Sequence, residues 1–308
     1  MAQRRSLDPI FIFTDPGIDD TLALAMATSK VLDLPIIGAC GVDGNVPPNL
    51  ASENLARLFK LFGADDIPVF QSGIDDPKHK YPYSVHGRNG LGNVKLVKAS
   101  SRISRDGMVE FIKSKGRIRI LSLGPLTAVS ELIEKSPEIT KQISQCVIMG
   151  GGIAGGNVTP YAEFNIYSNP KAADNVFLSS IPKVLVPLDI TEKVCLYSED
   201  LELLKRSARM ATRKVAKMLE FYFEFQRKLD GFFGGYMHDS TALVAMIRPD
   251  LFHFRMAEIR VDTTGKKTRG RTVSKFSNEA KHANTKIAVN VDEDSVRSVI
   301  MNTLTNND

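Results

Sequence analysis

The stretch Pro9-Ile10-Phe11-Ile12-Phe13-Thr14-Asp15-Pro16-Gly17-Ile18-Asp19-Asp20 (residues 9–20) runs from apolar to acidic through a single turn. Its first part, PIFIFTD, reads as a strand buried on both faces, because it is a short, nearly unbroken apolar run bounded by turn residues. Pro16 and Gly17 favour a sharp reversal. The next segment, DDTLALAMATSKVL, is small and apolar and suits a buried helix. A strand feeding a helix through a short turn is the building unit of parallel sheets.

The same unit recurs outward along the chain. LPIIGACGV is a second strand-like run, followed by NLASENLARLFKLFG, in which Leu50, Asn54, Leu58 and Leu61 fall on nearly one helical face. IPVFQ, RIRILSLG before LTAVSELIEK, QCVIMGGG before a glycine-rich loop, and IPKVLVPLD after KAADNVFLSS continue the alternation. Residues from Glu199 to about Ile247 read as largely helical. Beyond them FRMAEIRVDTTGKKTRGRTV forms a hairpin, TKIAVNVD a strand and SVRSVIMNTL a closing helix. The expectation is an α/β fold: one open, mostly parallel, Rossmann-like sheet with helices on both faces and a C-terminal hairpin. No repeat, linker or low-complexity segment divides residues 1–308, which read as one domain.

With 43% hydrophobic and 24% charged residues, the composition is that of an ordinary globular protein. The net charge of +5 owes much to Lys266, Lys267, Arg269, Arg271, Lys275, Lys281 and Lys286. A nucleic-acid surface and a solvated hairpin edge both account for that cluster; the second is the simpler, and no nucleic-acid partner is expected. Cys40, Cys146 and Cys195 lack CxxC spacing, which excludes a zinc site or disulfide framework of known type and leaves three small buried hydrophobes. No apolar run reaches the roughly 18 residues of a membrane span. The start, MAQRRSLDPIFIF, has no small-residue cleavage site, so the chain reads as cytoplasmic.

In open α/β sheets, ligands gather at the carboxyl ends of the strands. Those ends fall just after Phe13, Val42, Leu121, Met149 and Leu188, where polar and glycine-rich residues come next. After Phe13, three carboxylates lie within six residues: Asp15, Asp19 and Asp20. A helix N-cap needs only one of them. Converging, they would repel one another unless a cation compensated, and Ca²⁺ fits because it accepts carboxylates, carbonyls and hydroxyls in an irregular shell. Met237-His238-Asp239 offers one more ligand, although such a pair also reads as a surface histidine beside a capping aspartate.

FTDPGIDDT resembles the DxDPGxDD signature of the inosine–uridine-type nucleoside hydrolases. GVDGNV, HGRNGLG, LGPLT, MGGGIAGGNVTPYAEFNIYSNP and HDSTALVA then occur in the family's order. The resemblance implies hydrolysis of a ribonucleoside N-glycosidic bond. Its implied Ca²⁺ ligands are Asp15, Asp20, the carbonyl of Leu123 and Asp239, with ribose hydroxyls and a water completing the shell. Asp15 would be the base for that water, and Asp19, Asn45, Met149, Asn157, Glu163, Asn165 and Gln226 would line the substrate pocket. His238 is the implied acid for the leaving base, with His86 the other candidate. The resemblance also implies assembly as a homodimer or homotetramer.

Three positions depart from the pattern. Phe13 stands where the family has its first aspartate, Asn169 where Asp-Pro is usual, and Asp230 where some pyrimidine-preferring members carry tyrosine. Metal binding is expected to survive these changes, with the preferred base left open. A nucleoside- or ribose-binding protein that has lost turnover is the competing reading. A carboxylate phosphatase would need its aspartyl nucleophile where Phe13 stands.

Overall fold

The computed structural model describes residues 8–73, 81–99, 103–277 and 283–306; Lys281 and the opening residues 1–7 lie outside them. Ten strands form one sheet: β1 (Ile10–Thr14), β2 (Ile36–Gly41), β3 (Val69–Gln71), β4 (Ile103–Ser104), β5 (Ile118–Ser122), β6 (Ile143–Met149), β7 (Lys183–Val186), β10 (Phe252–Val261), β11 (Thr272–Phe276) and β12 (Thr285–Val291). The short β8 (Cys195–Tyr197) and β9 (Gly234–Tyr236) pair separately as an antiparallel ribbon.

The strand order is β11-β10-β12-β7-β6-β5-β1-β2-β3-β4. Pairing is parallel from β12 through to β4, and β10 runs antiparallel to both its neighbours. The expected hairpin is β10–β11, in register from Ala257–Phe276 to Val261–Thr272. From β1 the chain builds outward through β2, β3 and β4, then returns to the other side of β1 as β5. The carboxyl ends of β1 and β5 thus flank the topological switch point, where open α/β sheets leave a crevice.

Strand β1 shows why the sheet is covered on both faces. Ile10 and Ile12 point into one apolar core, with the helices Ile18–Ala27, Pro48–Phe62, Met210–Asp230, His238–Ile247 and Glu293–Thr305. Phe11 and Phe13 point into the other, with residues of the helices Thr127–Lys135 and Pro170–Leu178. The helix Pro48–Phe62 buries Ala51, Asn54, Leu55, Leu58 and Phe59, whereas Leu50 and Leu61 from the expected face are only half-buried. Asn54 tolerates burial because its amide donates to the carbonyl of Asn89 at 2.7 Å. All three cysteines are buried and free. No helix among the described residues is long and apolar enough to cross a membrane.

Two helices bring the acidic residues together. Ile18–Ala27 is buried along its whole length, and His238–Ile247 is buried from Asp239 to Met246. Small residues such as Ala23, Ala242 and Ala245 let them pack directly against each other. Each carries its acidic residues in the first turn: Asp19 and Asp20 in one, Asp239 in the other. Packing the two helices joins carboxylates that are about 220 residues apart in sequence, with both positive helix ends behind them.

Candidate active site

Asp19, Asp20 and Asp239 each offer a carboxylate oxygen within 4.8 Å of the others, and all three are buried. Asp20 is held firmly: its Oδ1 accepts from the Thr14 hydroxyl, and its Oδ2 from the Gly17 N–H (2.9 Å) and the Asn45 amide (3.2 Å). Asp15 is equally buried. Its Oδ2 accepts from the Asn45 N–H at 2.7 Å, while its Oδ1 has no hydrogen-bond partner. Two glycines make room for it. A Cβ at Gly44 would stand 2.0 Å from Asp15 Oδ2, and one at Gly124 2.4 Å from Oδ1.

Burial pushes all four carboxyls above the usual carboxylate range, and their mutual repulsion adds to it at Asp15, Asp19 and Asp239. Asp19 is raised to about 7. No lysine or arginine lines the cavity above them, among the described residues. An orphaned buried carboxylate oxygen beside three converging acids is a donor set suited to a hard cation.

The cavity, about 490 Å³, is of a size that takes a small ligand. Asp19, Asn45, Leu123, Met149, Asn165 and Asp239 lie along it, as do His86, Asn157, Glu163, Gln226 and His238. Asp15 and Asp20 sit behind this lining. The Leu123 carbonyl already accepts from the Asn165 amide at 2.7 Å, which leaves it one lone pair. The same amide reaches the Met149 carbonyl at 3.2 Å, so Asn165 ties the ends of β5 and β6 together. Both oxygens of Glu163 are engaged by backbone N–H groups, from Asn165 on one and from Gly151 and Ile166 on the other. Glu163 therefore also caps the helix Phe164–Ser168 and fixes the glycine loop. Asn157 is exposed at the rim, its Oδ1 accepting from the Phe164 N–H.

His86 accepts from the Ile18 N–H through Nδ1 at 3.1 Å, which places its proton on Nε2. His238 is half-buried next to Asp239, with Nδ1 2.7 Å from the Thr191 hydroxyl. Burial lowers both imidazoles, His86 to about 3 and His238 to about 4.

The departures from the family pattern fall unevenly. Phe13 is fully buried with its ring 5.1 Å from that of Phe11, worth about 2 kcal/mol of apolar burial, and it does not line the cavity. Asn169 is also outside the cavity: it caps the helix Pro170–Leu178 through Ala172 N–H and donates to Thr127. Asp230 does line it, at the rim. Tyr222, Tyr236, Phe225 and Glu192 line it as well, although the sequence did not single them out. The available signal was Tyr222 and Gln226, polar groups four residues apart on an apolar helical stripe.

An acidic pocket at the switch point of a parallel sheet, sized for a small polar ligand, defines an α/β protein built to handle a neutral or cationic small molecule. The comparisons with known proteins are more specific. The chain belongs to the inosine-uridine preferring nucleoside hydrolase family, whose model matches residues 10–298. It is 37% identical over 267 residues to uridine nucleosidase 1 of Arabidopsis thaliana, covering 84% of this chain and 79% of the relative. It is 35% identical over 274 residues to the pyrimidine-specific ribonucleoside hydrolase RihA of Citrobacter koseri, covering 86% and 87%. Among solved structures it resembles the plant nucleoside hydrolase PpNRh1, with a TM-score of 0.88, 31% identity, and coverage of 97% and 99%. The purine-preferring ribonucleoside hydrolase of Gardnerella vaginalis is as similar in fold, with a TM-score of 0.89, 26% identity, and coverage of 97% and 98%. The protein is an enzyme of the nucleoside hydrolase class.

Proposed function

We propose that this enzyme hydrolyses the N-glycosidic bond of ribonucleosides with the help of a Ca²⁺ ion, releasing free base and ribose. One observation carries the reading: Asp19, Asp20 and Asp239, from both ends of the chain, meet at a nucleoside-sized cavity, and Asp15 Oδ1 lies buried and unpartnered behind its lining. Asp15, Asp20, Asp239 and the Leu123 carbonyl would hold the cation. When bound, the cation supplies positive charge that acidifies water and grips vicinal hydroxyls.

The chain's own groups divide the remaining work. Asp15 takes the proton of the attacking water, its free Oδ1 being held in place through the Asn45 N–H on Oδ2. Asp19 and Asn165 bind ribose hydroxyls, and Asn45 keeps Asp20 oriented. Departure of the base builds oxocarbenium character on the sugar, the surrounding carboxylates stabilise that charge, and the water attacks the anomeric carbon. His238, lining the cavity beside Asp239, is the acid for the departing base; burial keeps its imidazole neutral in the free protein, so the proton it passes on is one gained in the substrate complex. Nucleoside salvage and assembly into two or four copies accompany this reading through the family resemblance.

The test is product analysis across purine, pyrimidine and modified nucleosides at fixed Ca²⁺, with and without a chelator. We expect equal amounts of free base and ribose, abolished by chelation and restored by added Ca²⁺. Tight nucleoside binding with no release of either product would instead favour a binding protein.

A further inference from the structure

The imidazole of His238 is held by an element that does not itself line the cavity, the short helix Leu188–Thr191. This helix leaves the carboxyl end of β7 and is pinned to the glycine loop. The Leu188 N–H donates to the Gly151 carbonyl at 2.9 Å, and the Asp189 carboxylate accepts from the N–H groups of Ile153 (2.7 Å) and Ala154 (2.9 Å). Beyond it the chain enters the β8–β9 ribbon, where Cys195 pairs with Tyr236 and the Met237 N–H donates to the Val194 carbonyl at 2.9 Å. That pairing brings Thr191 to the first residue of the helix His238–Ile247. Its hydroxyl lies 2.7 Å from His238 Nδ1.

The direction of this hydrogen bond follows from burial. Thr191 is fully buried, and among the described residues its hydroxyl has no other hydrogen-bond partner. If Nδ1–H were the donor, the hydroxyl hydrogen would be buried without an acceptor, which is costly. With the hydroxyl donating, both groups are satisfied and the ring carries its proton on Nε2. Nε2 is then the nitrogen left for the cavity that His238 lines, since Nδ1 is engaged by a residue outside it. His86 is set in the same way, its Nδ1 accepting from the Ile18 N–H. The Tyr236 ring also packs against the His238 ring at a tilt, with centroids 5.9 Å apart. Packing limits how far the imidazole swings but does not tell its two nitrogens apart; the threonine hydroxyl does.

We infer that Thr191 is a positioning residue for the reaction, its hydroxyl fixing the tautomer and orientation of His238 so that Nε2–H faces the departing base. The inference rests on the hydrolase reading and deepens it by naming what aims the acid. A hydroxyl both donates and accepts, so by turning about its C–O bond Thr191 keeps hold of Nδ1 when the ring gains a second proton. Without the hydroxyl the ring is free to take either tautomer or to turn over, and a bare nitrogen facing the base has nothing to donate. Supporting groups of this kind are what hold a reacting side chain in its productive geometry.

The test combines nitrogen NMR of the imidazole rings at neutral pH with kinetics of three variants. Thr191→Val and Thr191→Ala remove the hydroxyl, and Thr191→Ser keeps it; His238 signals are assigned by their loss in His238→Ala. We expect the Nε2–H tautomer in the wild type and in Thr191→Ser, and a mixture of tautomers in the hydroxyl-free variants. Their kcat/KM for uridine and inosine should fall by about tenfold or more, with Thr191→Ser within about threefold of wild type. On p-nitrophenyl riboside, whose phenolate departs without a proton, the same variants should lose no more than about threefold. A wild-type ring protonated on Nδ1 overturns the inference whether or not the variants fold. Equal losses on all three substrates, or undiminished nucleoside cleavage without the hydroxyl, also overturn it. If the wild type cleaves none of the three, the hydrolase reading fails. The spectra then decide the inference: an Nε2–H tautomer lost with the hydroxyl supports it, and one that persists without the hydroxyl refutes it.

Discussion

Replacing Gly44 with alanine tests the site without touching any charged group. The added Cβ would stand 2.0 Å from Asp15 Oδ2, 2.7 Å from its Cγ and 2.9 Å from Pro125 Cδ. Ordinary contact begins near 3.4 Å, so the carboxylate must retreat by about 1.4 Å. Asp15 is short and enclosed, with Gly124 on its other side, so it cannot swing clear at little cost. The shift also breaks the 2.7 Å hydrogen bond from the Asn45 N–H. A misplacement of roughly 1 Å in a catalytic group costs on the order of 100-fold in rate. We therefore expect Gly44→Ala to lower kcat/KM for ribose release by about 100-fold or more, with the circular dichroism spectrum unchanged. Gly124→Ala, which crowds Oδ1 from 2.4 Å, should do the same. If Gly44→Ala stays within about threefold of wild type, Asp15 does not act from between these two glycines.

Asp15→Ala and Asp239→Ala should each lower ribose release by on the order of 10³-fold or more in protein that still unfolds cooperatively; full activity in either would remove it from the ligand set. His238→Ala should lose more on nucleosides with poor leaving bases than on p-nitrophenyl riboside, by roughly 10²-fold, and equal losses on both would end its role as acid. The chelated protein should become less stable as pH rises from about 4 to about 7. In that window the buried carboxyls, Asp19 at about 7 among them, hold protons that the unfolded chain has lost. Excess Ca²⁺ should raise Tm and flatten this slope, since it stabilises the charged carboxylates. A metal-free Tm that climbs across the window contradicts the clustering of the acids.

Much of the fold was legible because buried parallel strands leave a plain mark, short apolar runs between turns, as in PIFIFTD and QCVIMGGG. The β8–β9 ribbon left none. Its strands are three residues each, and Gly234 and Gly235 give no side-chain alternation to read. The acidic loop was legible because three carboxylates exceed what a helix cap requires. That Asp239 meets them depends on two buried helices packing side by side, which local pattern does not encode. Asn169 was legible only as a departure from the family pattern; its part in capping the next helix emerges once the chain turns at Ser168. Tyr222 and Gln226 were not recognisable as a pair because a helical stripe facing a cavity looks, in sequence, like one facing a core.

Under the proposed function, acids from distant parts of the chain would share one divalent ion. Isothermal titration of Ca²⁺ into chelator-treated protein measures that sharing directly. Wild type should bind one ion per chain, and Asp20→Ala and Asp239→Ala should each abolish that binding although the two residues lie in different helices. Undiminished Ca²⁺ binding in either variant would contradict a shared site.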